Sequence, residues 1–429
     1  MEDFVLELLK SSGADGWTVT DEVRSGWEFY FIRHALDQNR VREVEHLKLK
    51  VYKQFSEDGK DYLGSASAEL PPTASRGEAQ KLIASLLDEA KLIRNPVYSL
   101  NPPRGGETAA GEAIELSAIA GDYLRAMKSV EESAEADVNS YEIFTDSVTR
   151  RIVTSTGIDR TARFPASMAE VVVNARAEGH EIELYRMFRS GSCDAPLLKG
   201  EVEETLRIGR DKLRAVKTPA LGKYDVVFST GDAMQIYDYF IDRMDAGMVF
   251  QGFSDWKCGE RVAPDEGGDA VTLRALRSLK NSSHNCSFDE EGAPRRDLTI
   301  IDRGVAESYH GARMFSQYLA LEDSFIPGNF AVEGGSASAE ELRTGRYLEI
   351  VEFSDFQVDS MNGDIAGEIR LGYLHDGDKV TVVEGGSVSG TMRELAGTMR
   401  FSKEQKQYNN YLIPAVTRLY GAIITGAEG

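Results

Sequence analysis

Cysteine and histidine are scarce in this chain of 429 residues. It has six histidines and three cysteines, Cys193, Cys258 and Cys286, at irregular spacing. An odd number of widely spaced cysteines argues against a disulfide framework and is typical of a reducing compartment. The segment MEDFVLELLK begins with acidic residues and has no basic stretch before an apolar core. We therefore expect no secretory signal and a cytoplasmic protein.

Positive charge and long hydrophobic runs are also lacking. The 49 basic residues face 70 acidic ones, which leaves a net charge of −21. The densest basic stretch, residues 33–42, is interleaved with acids, and affinity for DNA depends on Lys and Arg that neutralise phosphates. We expect no direct binding to nucleic acid. The apolar runs are far too short to span a bilayer, so we expect no membrane partner either.

The length predicts two or three domains, and the patterning divides the chain into three regions. Residues 1–94 form an N-terminal module of helices and strands, in which Ser75 and Glu78 have capping-box spacing before an apolar helical stripe. Residues 95–112 are rich in proline and glycine and predict a loop. Residues 113–217 form a middle region of helices and strands, and residues 218–429 form a strand-rich domain.

Two segments in the last region, 288–310 and 359–379, combine turn residues with short apolar alternations. Together they resemble the C-terminal half of the TldD/PmbA family, whose members are known as peptidases or as modulators of DNA gyrase. The matching positions are Phe288, Asp289, Glu291, Gly292, Pro294, Gly304, Gly363, Asp364, Gly372, Tyr373 and Gly377. The turn at Thr156-Gly157 and the segment Val388-Ser389-Gly390 also resemble family signatures. The resemblance implies an α+β fold, with an N-terminal helix–sheet region followed by a strand-rich C-terminal domain.

The resemblance also implies where a metal site would lie. In the metal-bearing branch, an HExxxH motif follows the strand that aligns with residues 226–228, and a downstream cysteine adds a third ligand. Here the segment reads GDAMQIYDYFIDRM, no histidine lies between His180 and His284, and no cysteine follows Cys286. Zinc peptidases need such nitrogen or thiolate donors with one position open for water. We therefore expect a PmbA/TldE-like chain without HExxxH, with no metal ligand and no catalytic residue, and we identify no substrate-binding residue.

Other chemistry-bearing residues have ordinary structural explanations. The pair His180-Glu181 begins a run of strand periodicity, with Tyr185 where a second histidine would be needed. The residues His284 and Cys286, with His310 farther along, are too few for a structural zinc site, so a polar loop with a free thiol is favoured. The carboxylates of Asp238 and Asp242 share one helical face, which we interpret as a solvated acidic face rather than a cation or acid–base site.

Two further features are only weak indications of a functional site. The thiol of Cys258 follows Lys257, which could lower its pKa, but a nucleophile would also need a histidine base that the sequence does not place. The glycine-rich segments 332–338 and 383–390 lack the spacing of phosphate-binding loops and are predicted to be turns. We expect Gly363 to adopt a positive φ in the turn Asn362-Gly363-Asp364.

These observations predict a subunit of a TldD/PmbA-type peptidase system. The chain would shape a groove for extended peptides without doing the chemistry, and zinc is expected only in a TldD-like partner. It would form a dimer with that metal-bearing subunit or with itself, since its many short strands have edges that need covering. The alternatives are a stand-alone peptide-binding or scaffolding homodimer, and a peptidase whose catalytic site is none of those considered above.

Overall fold

The computed structural model describes residues 3–103 and 113–427. Of the predicted loop at 95–112, the part up to residue 103 is irregular chain with an isolated bridge at Pro96, and residues 104–112 lie outside the described residues. The helices are α1 (Asp3–Ser11), α2 (Arg76–Ala90), α3 (Leu116–Lys128), α4 (Ala195–Lys212), α5 (Met234–Arg243), α6 (Ala246–Phe250), α7 (Arg313–Tyr318) and α8 (Met392–Leu395). Within the two described ranges, none of these helices is long and apolar enough to cross a membrane.

The strands fall into a long-stranded N-terminal group and a short-stranded C-terminal group. The first group is β1 (Gly16–Ile32), β2 (Ala35–Glu57), β3 (Lys60–Leu70), β4 (Ala136–Thr154), β5 (Asp159–Ala177) and β6 (His180–Ser190). The second is β7 (Val216–Lys217), β8 (Gly222–Phe228), β9 (Leu273–Leu276), β10 (Leu298–Asp302), β11 (Val305–Ala306), β12 (Asn329–Val332), β13 (Arg346–Val358), β14 (Asp364–Asp376), β15 (Lys379–Glu384), β16 (Ser387–Thr391), β17 (Arg400–Phe401), β18 (Gln405–Tyr408), β19 (Tyr411–Pro414) and β20 (Thr417–Thr425). The predicted α+β class is confirmed.

The first six strands form one antiparallel sheet in the order β3-β2-β1-β4-β5-β6. Alternating apolar side chains on one face pack against α1 and α2 near β2 and β3, and against α3 and α4 near β4 to β6. The helix α2 begins with the predicted capping box, because Ser75 and Glu78 hydrogen-bond to each other's backbone N–H. This sheet takes strands from both regions that we predicted separately, 1–94 and 113–217, and the division into three domains stays a prediction.

The C-terminal strands form two further sheets. One has the order β11-β10-β9-β12-β19-β18. In the other, β13, β8, β20, β16 and β14 follow one another, and β14 pairs again with β13, so the five strands close into a ring. A closed ring leaves no free edge among its members. Its interior belongs to one large apolar cluster that also contains the buried face of α5.

Among the contacts that join the C-terminal sheets to the first sheet, two involve apolar packing against the first sheet or its helix α4. In one, Leu371 and Tyr373 of β14 pack beside α4, and the Tyr373 hydroxyl donates to Asp211 at 2.8 Å. In the other, Cys286 and Phe288 pack against Ile152 and its apolar neighbours on β4 and β5. The segment that carried the family resemblance therefore lies at the junction between the sheets.

Candidate functional site

The helix α5 occupies the position where the family resemblance implies a metal motif. It follows β8 directly, across a short 3-10 turn at Gly231–Ala233. Its residues Ile236, Tyr237 and Phe240 are buried in the large apolar cluster of the ring, so the opposite face of the helix lies toward the surface. The helix ends at Arg243, and α6 starts after Asp245, whose carboxylate accepts from the N–H groups of Gly247 and Met248.

The side chain of Asp238 lies on the outer face of α5 and is half-buried. Its Oδ1 accepts a hydrogen bond of 2.7 Å from the Tyr411 hydroxyl on β19. Burial raises the pKa of Asp238 to about 6, and the nearby Asp242 carboxylate adds to the rise, whereas the Tyr411 hydrogen bond opposes it. The solvated acidic face expected for this helix is therefore not found at Asp238.

The side chain of Asp242, one turn farther along, lies at the surface. Its Oδ2 accepts from the Ser360 hydroxyl at 2.7 Å, which links α5 to the turn before β14. Loss of hydration raises its pKa, while the Ser360 hydrogen bond and the neighbouring His310 lower it. Both carboxylates share one face as predicted, but each is engaged by a different hydroxyl rather than by a common ligand.

The imidazole of His310 is buried beneath the C-terminal end of α5. Its Nε2 lies 3.0 Å from the carbonyl oxygen of Ile241, so this nitrogen carries the proton and donates. Its Nδ1 has no hydrogen-bond partner and lies 3.9 Å from Asp245 Oδ2. Burial lowers the pKa of His310, which favours the neutral ring. His310 therefore presents a single free nitrogen, in the core.

The other candidate ligands lie in separate places. The thiol of Cys286 is buried in the apolar contact with β4 and β5, and this burial raises its pKa. The Nδ1 of His284 lies 3.2 Å from Ser283 Oγ and 3.3 Å from Asn409 Nδ2, and burial together with Arg295 lowers the histidine's pKa. Within residues 3–103 and 113–427, no group of three or more His, Cys, Asp or Glu is arranged to hold a metal ion.

The remaining sequence candidates are structural. The pair His180-Glu181 starts β6, as the strand periodicity predicted. The exposed Cys258 has a pKa that is raised, mainly by partial burial of its thiol, and not lowered by Lys257. The residue Gly363 has φ +86°, which confirms the predicted positive φ.

Arg243 is a site residue that the sequence reasoning missed. It is almost fully buried, with its guanidinium over the rings of Tyr239 and Trp256. Its Nη1 donates to the carbonyls of Ser360 and Met361 at 3.2 and 3.0 Å, and its Nη2 donates to Asp255. Its spacing from Ile236 and Phe240 places it on the apolar face of α5, and that is the signal that could have identified it.

The acidic motif at 289–292 lies next to the junction between the sheets, where Phe288 packs against β4 and β5. The Asp289 carboxylate accepts from the N–H groups of Glu291, Ala293 and Ile326 at 2.8–2.9 Å. Burial raises the pKa of Asp289 to about 7, against these three bonds, which favour the charged form. The three hydrogen bonds to Asp289 therefore hold its own turn together and attach that turn to the segment before β12.

The turn at Thr156 meets this acidic motif through Asn101. Thr156 Oγ1 donates to the Asn101 carbonyl at 2.7 Å, and Asn101 Nδ2 donates to the Glu291 carbonyl at 3.3 Å. The Glu291 carboxylate in turn accepts from the N–H of Arg313 at 2.7 Å. Two segments that carried the family resemblance are therefore parts of one junction.

Comparisons with known proteins agree with this architecture. Residues 221–419 match the model of the PmbA/TldA metallopeptidase C-terminal domain. No curated relative matches the chain. TldE from Thermococcus kodakarensis superposes with a TM-score of 0.76 at 15% identity, covering 99% of this chain and 100% of that one.

Two bacterial structures are also similar. Both are candidate modulators of DNA gyrase, from Bacteroides thetaiotaomicron (TM-score 0.77, 98% of that chain covered) and Thermotoga maritima (TM-score 0.73, 99% covered). Each is 17% identical and covers 99% of this chain. At such identities the likeness is one of fold.

Proposed function

We propose, from the membership of residues 221–419 in the PmbA/TldD C-terminal domain family, that this chain is a PmbA/TldE-like subunit of a two-component peptidase system. It shapes a groove for extended peptides and does not itself cleave them. A metal-bearing, TldD-like subunit supplies the zinc and the general base. The fold-level likeness to TldE supports this branch of the family.

The residues of α5 carry the proposal. A zinc peptidase needs three nitrogen, sulfur or oxygen ligands and an open position for water. The outer face of α5 offers Asp238 and Asp242, four residues apart, and each of them already accepts from a separate hydroxyl. The nearest imidazole, His310, is buried and uses its Nε2 on a backbone carbonyl. This donor set does not fit the family's zinc.

Peptide cleavage by the chain with and without a partner tests the proposal. The purified chain should leave an unstructured peptide intact, and a TldD-like subunit from the same source should cleave it far faster when this chain is added. A partner whose HExxxH glutamate is replaced by glutamine is the matched control, and the mixture should then be inactive. Metal-dependent cleavage by this chain alone would overturn the proposal and favour a peptidase whose catalytic site is none of those described above.

A further inference from the structure

A polar cleft of about 390 Å³ lies on the outer face of the ring. Its floor is formed by Ala337 and Leu342, which belong to a small apolar cluster with Val227 of β8. The neighbours of Val227 in that strand, Val226 and Phe228, belong instead to the large cluster inside the ring. Because side chains alternate between the two faces of a strand, the cleft lies on the face opposite the ring interior. Small-molecule sites commonly have volumes of this order, roughly 300–1,000 Å³.

Two arginines that lie directly opposite each other form one wall of the cleft. Arg400 of β17 pairs with Arg418 of β20 in an antiparallel register, and both line the cleft. Like charges at opposed positions destabilise a sheet, so each guanidinium needs acceptors. The guanidinium of Arg418 is buried, and its Nη2 donates to Asp225 at 2.7 Å. Its Nη1 donates to the carbonyls of Leu342 and Thr344, so Arg418 is held in place as part of the wall.

The guanidinium of Arg400 is less completely paired, and its side chain is 39% exposed. Among the residues that the structure describes, its one hydrogen bond runs from Nη2 to the Ser336 hydroxyl at 3.0 Å, and that acceptor is neutral. The carboxylate of Asp269 stays 3.8 Å from Arg400 Nε. Its oxygens already accept from the Phe401 N–H at 3.0 Å and from the Ser336 hydroxyl at 2.9 Å. Arg400 therefore keeps N–H donors available to an anion in the cleft.

The glycine-rich segment 332–338, which lacks the spacing of a phosphate-binding loop, forms part of the rim. An added Cβ at Gly335 would collide with the carbonyl oxygen of Phe401, at the end of β17. The Gly335 N–H donates to the carbonyl of Ser402 at 3.0 Å. Glycine therefore allows the segment to lie directly against β17, and this contact brings Ser336 to the cleft.

We propose that this cleft binds a small monocarboxylate, with Arg400 as the residue that recognises its carboxylate group. The planar fork of a guanidinium matches the two oxygens of a carboxylate. The apolar floor at Ala337 and Leu342 suits a short hydrocarbon portion attached to that group, because ligand sites combine apolar surface with a few placed polar groups.

The charges around the cleft favour a singly charged ligand over a phosphate. Glu341 also lines the cleft, and its Oε2 accepts from the N–H of Ser338 at 2.6 Å, which holds this carboxylate at the rim. The chain as a whole has a net charge of −21. Both repel a dianion more strongly than a monoanion.

Ligand-observed NMR with isocaproate, a branched monocarboxylate, tests the ligand class on the full chain. Isocaproate should bind saturably, and isocaproamide, which has the same shape without the charge, should bind about tenfold more weakly because it lacks the charged partner of Arg400. Inorganic phosphate at equal concentration and ionic strength should not displace isocaproate. Equal binding of the acid and the amide, displacement by phosphate, or no saturable binding of isocaproate would overturn the proposal.

Substitutions test the position of the site. Arg400→Gln should weaken isocaproate binding by about tenfold, and Arg400→Lys, which keeps the charge, should weaken it less. Glu341→Gln should strengthen binding, because it removes a neighbouring negative charge. The matched control is Arg303→Gln, at a side chain that is 84% exposed in the turn between β10 and β11, and it should leave binding unchanged.

Thermal melts without ligand show whether each variant is folded. Undiminished binding of isocaproate by folded Arg400→Gln would overturn the assignment, as would an equal loss in Arg303→Gln.

Discussion

At the scale of single residues, the polar side chains on the outer face of α5 form hydrogen bonds and are not arranged as metal ligands. Tyr411 and Ser360 each hold one carboxylate, and His310 donates to the backbone of the same helix. If these groups do no chemistry, replacing both Asp238 and Asp242 by Asn should leave the turnover of the proposed TldD-like subunit within a few-fold. General acid–base catalysis contributes ~10²–10⁴-fold. A hundredfold loss with an unchanged melting temperature would mean that these carboxylates are catalytic.

The raised pKa of Asp238 predicts a particular pH dependence of stability. Its folded pKa, about 6, exceeds the reference value of 3.8, so the native state binds the proton more tightly than the unfolded chain does. The contribution to stability is present at low pH and is lost as the pH rises through about 6. Asp238→Asn should therefore gain stability relative to wild type between about pH 4 and pH 7, by order 1 kcal/mol after allowance for partial exposure.

Thermal melts of the two proteins at both pH values measure this difference. Asp242→Asn is the companion variant, because its carboxylate lies at the surface, and a smaller change with pH is expected there. The melting temperature of Asp238→Asn minus that of wild type should rise with pH, and a difference that stays constant or falls would contradict the assignment.

Arg243 should be a sensitive position on α5, because its guanidinium is almost fully buried. Replacing it by Met keeps the stem but leaves the carbonyls of Ser360 and Met361 without their cationic donor. We expect a loss of about 2–3 kcal/mol in the free energy of unfolding. Arg303→Met, at a largely exposed side chain, should change it by less than about 0.5 kcal/mol. Equal denaturation midpoints for the two variants would show that the buried clamp has no energetic role.

At the scale of elements, the turn before β14 depends on a glycine. At Gly363, φ is +86°, and an added Cβ would lie 3.3 Å from Tyr239 Cε2. Gly377 also has a positive φ, but an added Cβ there would meet nothing within 4 Å. Gly377→Ala should therefore show the conformational cost alone, about 1 kcal/mol, and Gly363→Ala should lose more. Chemical denaturation of both variants measures the difference, and a smaller loss at Gly363 would contradict it.

A glycine-to-alanine substitution in the helix α4 should have the opposite effect and stabilise the protein. Gly200 lies inside this helix, and an added Cβ would meet nothing within 4 Å. Gly200→Ala should raise the free energy of unfolding by about 0.5–1 kcal/mol, because alanine loses less backbone entropy in a helix. A lower melting temperature for this variant would show that the space beside α4 is not open.

Local elements could be predicted because their signals are short in range. The capping box at Ser75 and Glu78 and the strand that begins at His180 were both predicted from spacing alone. The length of β4 was not predictable in this way, since the strand continues through polar residues near its middle because its pairing with β1 and β5 continues there. The closure of the ring depends on β8, which pairs with β13 and with β20, both more than a hundred residues farther along the chain, and no local pattern encodes those pairings.

The candidate site was predictable in part for the same reason. The helical spacing of Asp238 and Asp242 places them on one face, as expected. Their hydroxyl partners, Tyr411 and Ser360, are more than a hundred residues away along the chain, so only the fold brings them together. The burial of Arg243 likewise follows from packing with Trp256 and with the turn at Ser360.

At the scale of the whole molecule, the net charge of −21 opposes binding to nucleic acid. Phosphate contacts by Lys and Arg supply most of the affinity for DNA, and a long-range negative field works against encounter. We expect weak or no binding of duplex DNA at physiological salt in a fluorescence anisotropy titration. Sub-micromolar affinity with a steep dependence on salt would show that a local basic surface overrides the net charge.

The zinc content of the purified chain tests the central claim most directly. The outer face of α5 presents two carboxylates held by hydroxyl groups and no set of ligands suited to zinc. Elemental analysis should therefore find far less than one transition-metal ion per chain, while the proposed TldD-like partner from the same source should carry about one zinc. About one zinc per copy of this chain, retained through mild chelation, would contradict the account and direct attention to His284, Cys286 and His310.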